Sequence, residues 1–161
     1  MTEEEARTRA IETYYEGYRH QLNGRIQDAI GRYQQSIRLF PTAEAHTHLA
    51  WLLGIQGNID RAIEECKKAI TLDPGYGNPY NDIGYFLIEA GSPGEAIPWL
   101  KQALESKRYD HYAFPHFNLG RVYEKLGTWI AALDEYSKAI DISPNFREAR
   151  LAHRRVEANL N

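Results

Sequence analysis

NIDRAIEECKKAITLDP, residues 58–74, contains the pattern of one helix together with its end signals. Ile59 and Ala62 begin a series of apolar residues at spacings of three and four, which places them on one helical face. Asn58 precedes the series, and its side-chain oxygen is predicted to cap the helix. Asp73-Pro74 ends it, because proline disfavours helical backbone in the residue before it. The stretch predicts an amphipathic helix over residues 59–72.

The same helix is written three more times, in residues 23–41, 92–104 and 128–144. Equivalent positions in the four stretches form columns that step by 33, then 34, then 36 residues. Within the helix the columns are Ala29, Ala62, Ala96 and Ala132; Tyr33, Cys66, Leu100 and Tyr136; and Ser36, Ala69, Ala103 and Ala139. Upstream they are Gly17, Ala50, Gly84 and Gly120, and Gly24, Gly57, Gly91 and Gly127. A step shared by five columns predicts a repeat architecture.

The small residues of these columns have structural meanings. Glycine, alanine or serine lets two helices approach closely, which we expect at the Gly17 column. The Gly24 column is predicted to end the first helix of each repeat, where glycine adopts left-handed backbone at little cost.

The pattern resembles the tetratricopeptide repeat, a unit of two antiparallel helices, A and B, in about 34 residues. Helix A of the third and fourth repeats matches best, through Tyr80, Ile83, Gly84 and Leu87, and through His116, Leu119, Gly120 and Tyr123. The second repeat has His46, Leu49, Ala50 and Leu53, and the first departs most, with Thr13, Glu16 and His20 at apolar positions. The resemblance implies an all-α fold: a right-handed α-solenoid of four helix-turn-helix units plus a C-terminal capping helix. We expect a single domain, 1–161, with units of about 10–42, 43–76, 77–112 and 113–146 and a capping helix of about 145–160.

The third repeat is irregular at its end. Arg108 stands where the closing proline is expected, and about two extra residues lie around 107–110. This predicts a longer connection to the fourth repeat. Pro98 lies inside the second helix of the third repeat and predicts a local bend.

Composition gives ordinary globular properties: 161 residues, a net charge of −3 and 43% hydrophobic residues. No run of 18 apolar residues occurs, so we expect no membrane span, and the acidic start MTEEEARTRA shows no apolar leader. Cys66 is alone, so a reducing, cytoplasmic setting is predicted. No basic stripe crosses the repeats, so nucleic acid is not an expected partner.

No catalytic arrangement emerges from the polar residues. His46 and His48 are two positions apart and do not share a helix face, so packed or surface imidazoles are favoured over a metal site. His111 and His116 lie near the irregular connection, for which a plain loop is favoured. Cys66 occupies a packing column and is predicted to be a buried, inert thiol. We therefore expect no enzyme activity, no metal and no cofactor.

The resemblance implies binding on the concave side, which helix A of each repeat lines through its second, fifth and ninth positions. Those positions give Ile11, Glu44, Asn78 and Phe114; Tyr14, Thr47, Asn81 and Phe117; and Tyr18, Trp51, Tyr85 and Arg121, with Asn118 beside Phe117. Six of them are aromatic, and exposed aromatic rows are costly unless something covers them. We expect an aromatic groove that holds a peptide or helix of a partner protein, with the asparagines bonding its backbone. Packing of these rings between neighbouring helices is the alternative.

A known variant of the family grips a C-terminal carboxylate through lysine, asparagine and arginine. Here Tyr14 and Tyr18 replace the first lysine and asparagine, and His48 replaces the second asparagine. Asn78 and Asp82 stand in place of two cations, so such a clamp is disfavoured. Arg121 remains as a single cation for an acidic ligand residue.

The two ends of the chain differ in charge. Acidic residues cluster at the start, and basic residues at the end: Glu3, Glu4, Glu5 and Glu12 against Arg147, Arg150, Arg154 and Arg155. Solvated helix faces are the simpler interpretation, and weak end-to-end homo-oligomerisation is the alternative function.

Overall fold

The computed structural model describes all 161 residues, which form nine α-helices joined by short connections. The helices group into two compact units by their contacts, Met1–Pro74 and Gly75–Asn161, called here the N-terminal and C-terminal units. The first contains α1 (Glu3–Leu22), α2 (Ile26–Leu39), α3 (Ala43–Ile55) and α4 (Ile59–Leu72). The second contains α5 (Asn78–Glu89), α6 (Pro93–Glu105), α7 (Ala113–Lys125), α8 (Trp129–Ile142) and α9 (Arg147–Leu160). None of these helices is both long and apolar enough to cross a membrane.

The turn inside each repeat is a Schellman motif centred on the predicted glycine. After α3, the Gly57 N–H donates to the Gly54 carbonyl, and the Asn58 N–H donates to the Leu53 carbonyl over 2.9 Å. Gly57 has a φ of 90°, in the left-handed region where glycine is favoured. Gly24, Gly91 and Gly127 have the same conformation, so the prediction for this column is confirmed.

The prediction that the Asn58 side chain caps α4 is wrong, and the hydrogen bonds of the preceding turn explain why. Asn58 has φ −84° and ψ 59°, and its side chain makes no capping hydrogen bond. Asn58 is the last residue of the Schellman motif, and the bond of its N–H to the Leu53 carbonyl fixes its backbone conformation. Ser92 occupies the same place before α6 and likewise makes no capping bond. Side-chain caps form instead at Thr2 and Thr42, before helices that begin a repeat.

The second predicted glycine column marks close approaches between the helices of a repeat. A Cβ atom on Gly17 would lie 2.9 Å from the Tyr33 ring, and one on Gly120 would lie 2.5 Å from Cδ1 of Tyr136. In the C-terminal unit, α9 then covers α8 through Ala152 and Val156, which pack with Tyr136. The column is confirmed as the place where the two helices touch.

The connection between α6 and α7 is long, as predicted, and it is fixed in place. The Arg108 N–H donates to the Gly75 carbonyl over 2.9 Å, and the Gly77 N–H donates back to the Arg108 carbonyl over 3.0 Å. The guanidinium carbon of Arg108 lies 4.0 Å from the centre of the Tyr76 ring. The Tyr109 ring fills the space beside Gly77 that a side chain there would occupy. The extra residues therefore pack against the residues just before α5, Gly75 to Gly77.

Candidate functional site

The predicted lining residues lie on α1 and α3 of the N-terminal unit and on α5 and α7 of the C-terminal unit. Tyr18 and Phe114 are exposed, at 38% and 45% of their surface. Ile11 is also exposed, at 45%. Seven more are half-buried: Tyr14, Glu44, Trp51, Asn78, Tyr85, Phe117 and Arg121. The aromatic members are thus partly open to solvent within each unit.

Three predicted lining residues are buried, and their polar groups are used inside the protein. The Thr47 hydroxyl donates to the Ala43 carbonyl over 2.7 Å, so it bonds its own helix. The Asn118 amide donates to the Asn81 side-chain oxygen over 3.1 Å, which joins α7 to α5. We expected these asparagines to bond a peptide backbone, but at 9% and 5% exposure they serve first as a link between helices.

In the N-terminal unit, three tyrosines surround His48. The imidazole centre lies 5.3 Å from the Tyr14 ring centre and 5.7 Å from that of Tyr18, both in edge-on geometry. The Tyr33 ring lies 5.5 Å away on a third side. Burial lowers the pKa of His48 from its usual value, although the charge of Glu44 opposes this shift. Burial therefore favours the neutral form of this imidazole.

A short hydrogen-bond network holds that imidazole. The Tyr33 hydroxyl donates to Oε1 of Gln21 over 2.6 Å. Nδ1 of His48 lies 3.2 Å from the Tyr33 oxygen and 3.4 Å from Oε1 of Gln21. Burial raises the pKa of Tyr33 far above the physiological range, so its hydroxyl keeps its proton. The sequence indicated only a packed or surface imidazole at this position.

In the C-terminal unit, Arg121 is not the isolated cation that the sequence predicted. Its guanidinium donates to Oε1 of Glu89 over 2.6 Å and lies 5.7 Å from the centre of the Tyr85 ring. Arg155 on α9 forms a two-point ion pair with Glu124, at 2.9 and 2.8 Å. Both arginines near this part of α7 are therefore neutralised within the unit.

An aromatic cleft opens between the starts of α7 and α9. The Phe146 ring centre lies 5.4 Å from that of Phe114 and 4.8 Å from that of Phe117. His111 contacts Phe114 from the connection before α7, with ring centres 5.7 Å apart. The cleft has a volume of about 520 Å³, and Asp110 and other residues at its edge are charged. His111 and Phe146 were not predicted as binding residues because both lie outside the helix A columns.

Two histidine–carboxylate pairs, largely shielded from solvent, repeat at equivalent positions. Nδ1 of His46 lies 2.5 Å from Glu65, and Nδ1 of His116 lies 2.6 Å from Glu135. A lysine completes each group: Lys68 and Lys138 contact the respective carboxylates at 2.8 and 3.2 Å. Burial raises the pKa of each carboxyl, but hydrogen bonds from the histidine and the lysine outweigh it and hold the pKa below its usual value.

These pairs join helix A to helix B in the second and fourth repeats. The three members share one offset of 70 residues along the chain, which is the signal that sequence reading missed. His46 and His48 point to different partners, in α4 and α2, and no group of three or more metal-ligating side chains occurs.

Comparison with known proteins places this geometry in a family. Residues 8–77 and 81–145 match the model of the tetratricopeptide repeat family. The chain is 27% identical over 109 residues to the small glutamine-rich tetratricopeptide repeat-containing protein 2 of Saccharomyces cerevisiae; the match covers 63% of this chain and 30% of the yeast protein. The chain thus spans less than a third of that relative.

Solved structures show the same fold. Pseudomonas aeruginosa PilF superposes with a TM-score of 0.86 at 23% identity, over 98% of this chain and 70% of PilF. The first tetratricopeptide domain of Spaghetti (RPAP3), solved with the HSP90 peptide SRMEEVD, superposes with a TM-score of 0.68 at 19% identity, over 73% of this chain and 92% of that domain. Because the two family matches cover most of its length, the chain belongs to the tetratricopeptide repeat family and is an all-α solenoid of helical repeats.

Proposed function

We propose that this chain is a non-catalytic scaffold that holds a peptide or helix of a partner protein against the aromatic lining positions of its A helices. Tetratricopeptide repeat proteins generally mediate protein–protein interactions and bind peptides, which supports the broad class. The particular face and residues are the proposal. A cytoplasmic location stays a prediction.

The observation that carries the proposal is the partial exposure of aromatic rings at the predicted lining positions. The small and apolar columns that pack the two helices of a repeat together, such as Ala29 and Tyr33, are fully buried. Tyr18 and Phe114 nevertheless present more than a third of their surface to solvent. Rigid rings of this kind give large contact area at low entropic cost, as binding anchors do.

The aromatic rings of the cleft in the C-terminal unit favour an apolar or aromatic anchor there. Arg121 and Arg155 are each held by a carboxylate of the same unit. An acidic ligand could gain Arg121 or Arg155 only by breaking one of these pairs. Phe114 and Phe146 offer an apolar surface with no such cost.

The test is capture of a partner by the wild-type chain and by Tyr18→Ala/Phe114→Ala. These rings are exposed, whereas the half-buried Trp51 and Tyr85 also support packing. The matched control is Trp129→Ala/Ile130→Ala on α8, because Trp129 is 39% exposed, close to Tyr18.

We expect the lining variant to lose the partner and the control to keep it, with unchanged circular dichroism in both. Equal capture by all three chains, or loss only in the control, contradicts the proposal.

End-to-end self-association is the second candidate function, and one observation favours it. On α9, Arg147, Arg150 and Arg154 are exposed beside an exposed Leu151. Glu3 and Glu4 at the start of α1 are also exposed, and their charge suits such a basic face. The ion pair of Arg155 with Glu124 removes one cation from it. Oligomers in low salt that dissociate in high salt are expected on sizing columns, whereas a monomer at both salt concentrations would exclude this candidate.

A further inference from the structure

We infer that His48 makes the lining surface around Tyr14 and Tyr18 sensitive to pH, so that protonation of its imidazole loosens these two rings and releases the partner segment. The response regulates the proposed binding site and therefore rests on the proposed function. It follows from the uncharged surroundings of His48 and from their contrast with the same place in the fourth repeat.

The imidazole of His48 is enclosed by rings from two other helices. On α1, the ring centres of Tyr14 and Tyr18 lie 5.3 and 5.7 Å from that of His48, both in edge-on geometry. On α2, the Tyr33 ring centre lies 5.5 Å away. Because these rings pack directly on the imidazole, a movement of His48 must displace the two lining tyrosines of α1.

The hydrogen-bond partners of His48 are uncharged. Its Nδ1 lies 3.2 Å from the Tyr33 oxygen and 3.4 Å from Oε1 of Gln21. The Tyr33 hydroxyl keeps its proton because burial raises its pKa, and the Gln21 amide carries no charge. Glu44, one turn earlier on α3, is the charged group whose field acts on His48. Burial outweighs that field and lowers the pKa of His48 below its ordinary value of 6.5.

Two other histidines that join helices differ from His48 in this respect. His46 contacts Glu65 at 2.5 Å, and His116 contacts Glu135 at 2.6 Å. Each of these carboxylates can balance a proton on its imidazole. His48 has a hydroxyl and an amide in place of such a carboxylate, so its proton has no balancing charge in direct contact.

The fourth repeat has a charged group at the same place. Tyr136 and Glu124 stand three repeat steps after Tyr33 and Gln21. The Tyr136 hydroxyl donates to Glu124 over 2.6 Å, as the Tyr33 hydroxyl donates to Gln21. Glu124 also holds a guanidinium of α9 in a two-point ion pair. The first repeat therefore keeps the hydrogen bond of the fourth but has an amide where the fourth has a carboxylate.

Acid acts against the packed arrangement of these rings. An imidazole in water takes up its proton near pH 6.5, and the enclosed His48 does so only at lower pH. As the pH falls through this range, the enclosed arrangement therefore becomes less stable relative to one in which His48 reaches water. A single proton of this kind changes affinity by at most about tenfold for each pH unit.

The test is an NMR titration of the full chain from about pH 8 to about pH 5, a range that spans the ordinary histidine pKa. Nuclear Overhauser contacts between the His48 and Tyr18 rings are followed in the wild type and in Gln21→Glu. We expect the wild type to lose these contacts as His48 is protonated. Gln21→Glu should raise the pKa of His48 and keep the contacts, because its carboxylate lies beside Nδ1. The contact between Phe117 and Phe146 in the C-terminal unit is the internal control for overall folding.

Partner capture is the second measurement. Capture by the wild type should fall about tenfold between pH 7 and pH 5, within the limit for one proton. Gln21→Glu and His48→Gln should each remove most of this fall, the first by balancing the charge and the second by removing the titrating group.

Three results would overturn the inference: ring contacts that persist in the wild type after His48 is protonated, their loss at the same pH in Gln21→Glu, or equal dependence of capture on pH in all three chains. Persistent ring contacts together with capture that Tyr18→Ala/Phe114→Ala abolishes refute the pH response alone. Ring contacts that acid breaks, together with capture that Tyr18→Ala/Phe114→Ala leaves intact, refute the proposed function.

Discussion

Gly120→Ala is expected to destabilise the chain, although alanine normally favours a helix over glycine. The added Cβ would lie 2.5 Å from Cδ1 and 3.0 Å from Cγ of Tyr136. The ring has no space to move, because Tyr136 is fully buried and its hydroxyl donates to Glu124 over 2.6 Å. Overpacking costs about 1–3 kcal/mol, and helix propensity returns about 1 kcal/mol. We expect a net loss of up to about 2 kcal/mol in the free energy of unfolding, which leaves this variant about 1–3 kcal/mol less stable than an alanine that meets no ring would be.

Urea unfolding followed by circular dichroism measures this loss, with Gly31→Ala as the matched control. Gly31 also lies inside a helix, but a Cβ there would meet nothing within 4 Å. The control should gain stability, up to about 1 kcal/mol. A Gly120→Ala variant that is as stable as the control would refute the close-approach argument.

The sequence of the second repeat suggests a second substitution that should relieve the cost of Gly120→Ala. The second repeat combines alanine with cysteine at the equivalent positions, Ala50 and Cys66, and both are fully buried. Tyr136→Cys should therefore remove most of the cost of Gly120→Ala, with a coupling energy of about 1–3 kcal/mol in a double-mutant cycle. Additive losses would show that the alanine cost arises elsewhere than at the ring.

Three further predictions concern hydrogen bonds and backbone. The pKa of Glu65 and of Glu135 is lowered in the folded chain, so the two ion pairs stabilise the fold at pH values above the unfolded pKa near 4.5 and stop doing so as the pH falls through the lower folded pKa. The urea midpoint of Glu65→Gln/Glu135→Gln should therefore fall less between pH 5 and 3 than that of the wild type. Parallel curves for the two chains would contradict this. Gly57→Ala should cost about 1 kcal/mol in urea unfolding because φ is positive there, and an unchanged midpoint would contradict it. Tyr136→Phe should cost about 1–3 kcal/mol by the same measurement, because the buried side of Glu124 loses its donor; a neutral result would show that Arg155 alone satisfies the carboxylate.

The fold was predictable because its determinants recur. The Gly57 column and the Gly120 column each appear several times, so the spacing alone located the turns and the close helix contacts. Asn58 shows the limit of local rules. Its residue type favours a cap, but the preceding Schellman motif had already fixed its backbone, and only the hydrogen bonds of the turn reveal this.

The site was predictable only by position, since a column gives the direction of a side chain and not its partners. Asn81 and Asn118 lie in different repeats, and their mutual hydrogen bond depends on the distance between α5 and α7. The pairing of Arg121 with Glu89 joins helices in the same way. The His46–Glu65 and His116–Glu135 pairs were open to sequence reading, because both follow the repeat offset. These pairs were not predicted because only columns of small and apolar residues were compared between repeats.

Photo-crosslinking, with benzoylphenylalanine placed at one position at a time, tests whether the partner lies against the lining positions of the A helices. Tyr18 and Phe114 are the lining positions, and Trp129 is the control at nearly the same exposure as Tyr18. We expect each of the first two positions to crosslink the partner and Trp129 not to crosslink it. Crosslinks from Trp129 alone, or none from either lining position while the partner is captured, would contradict it.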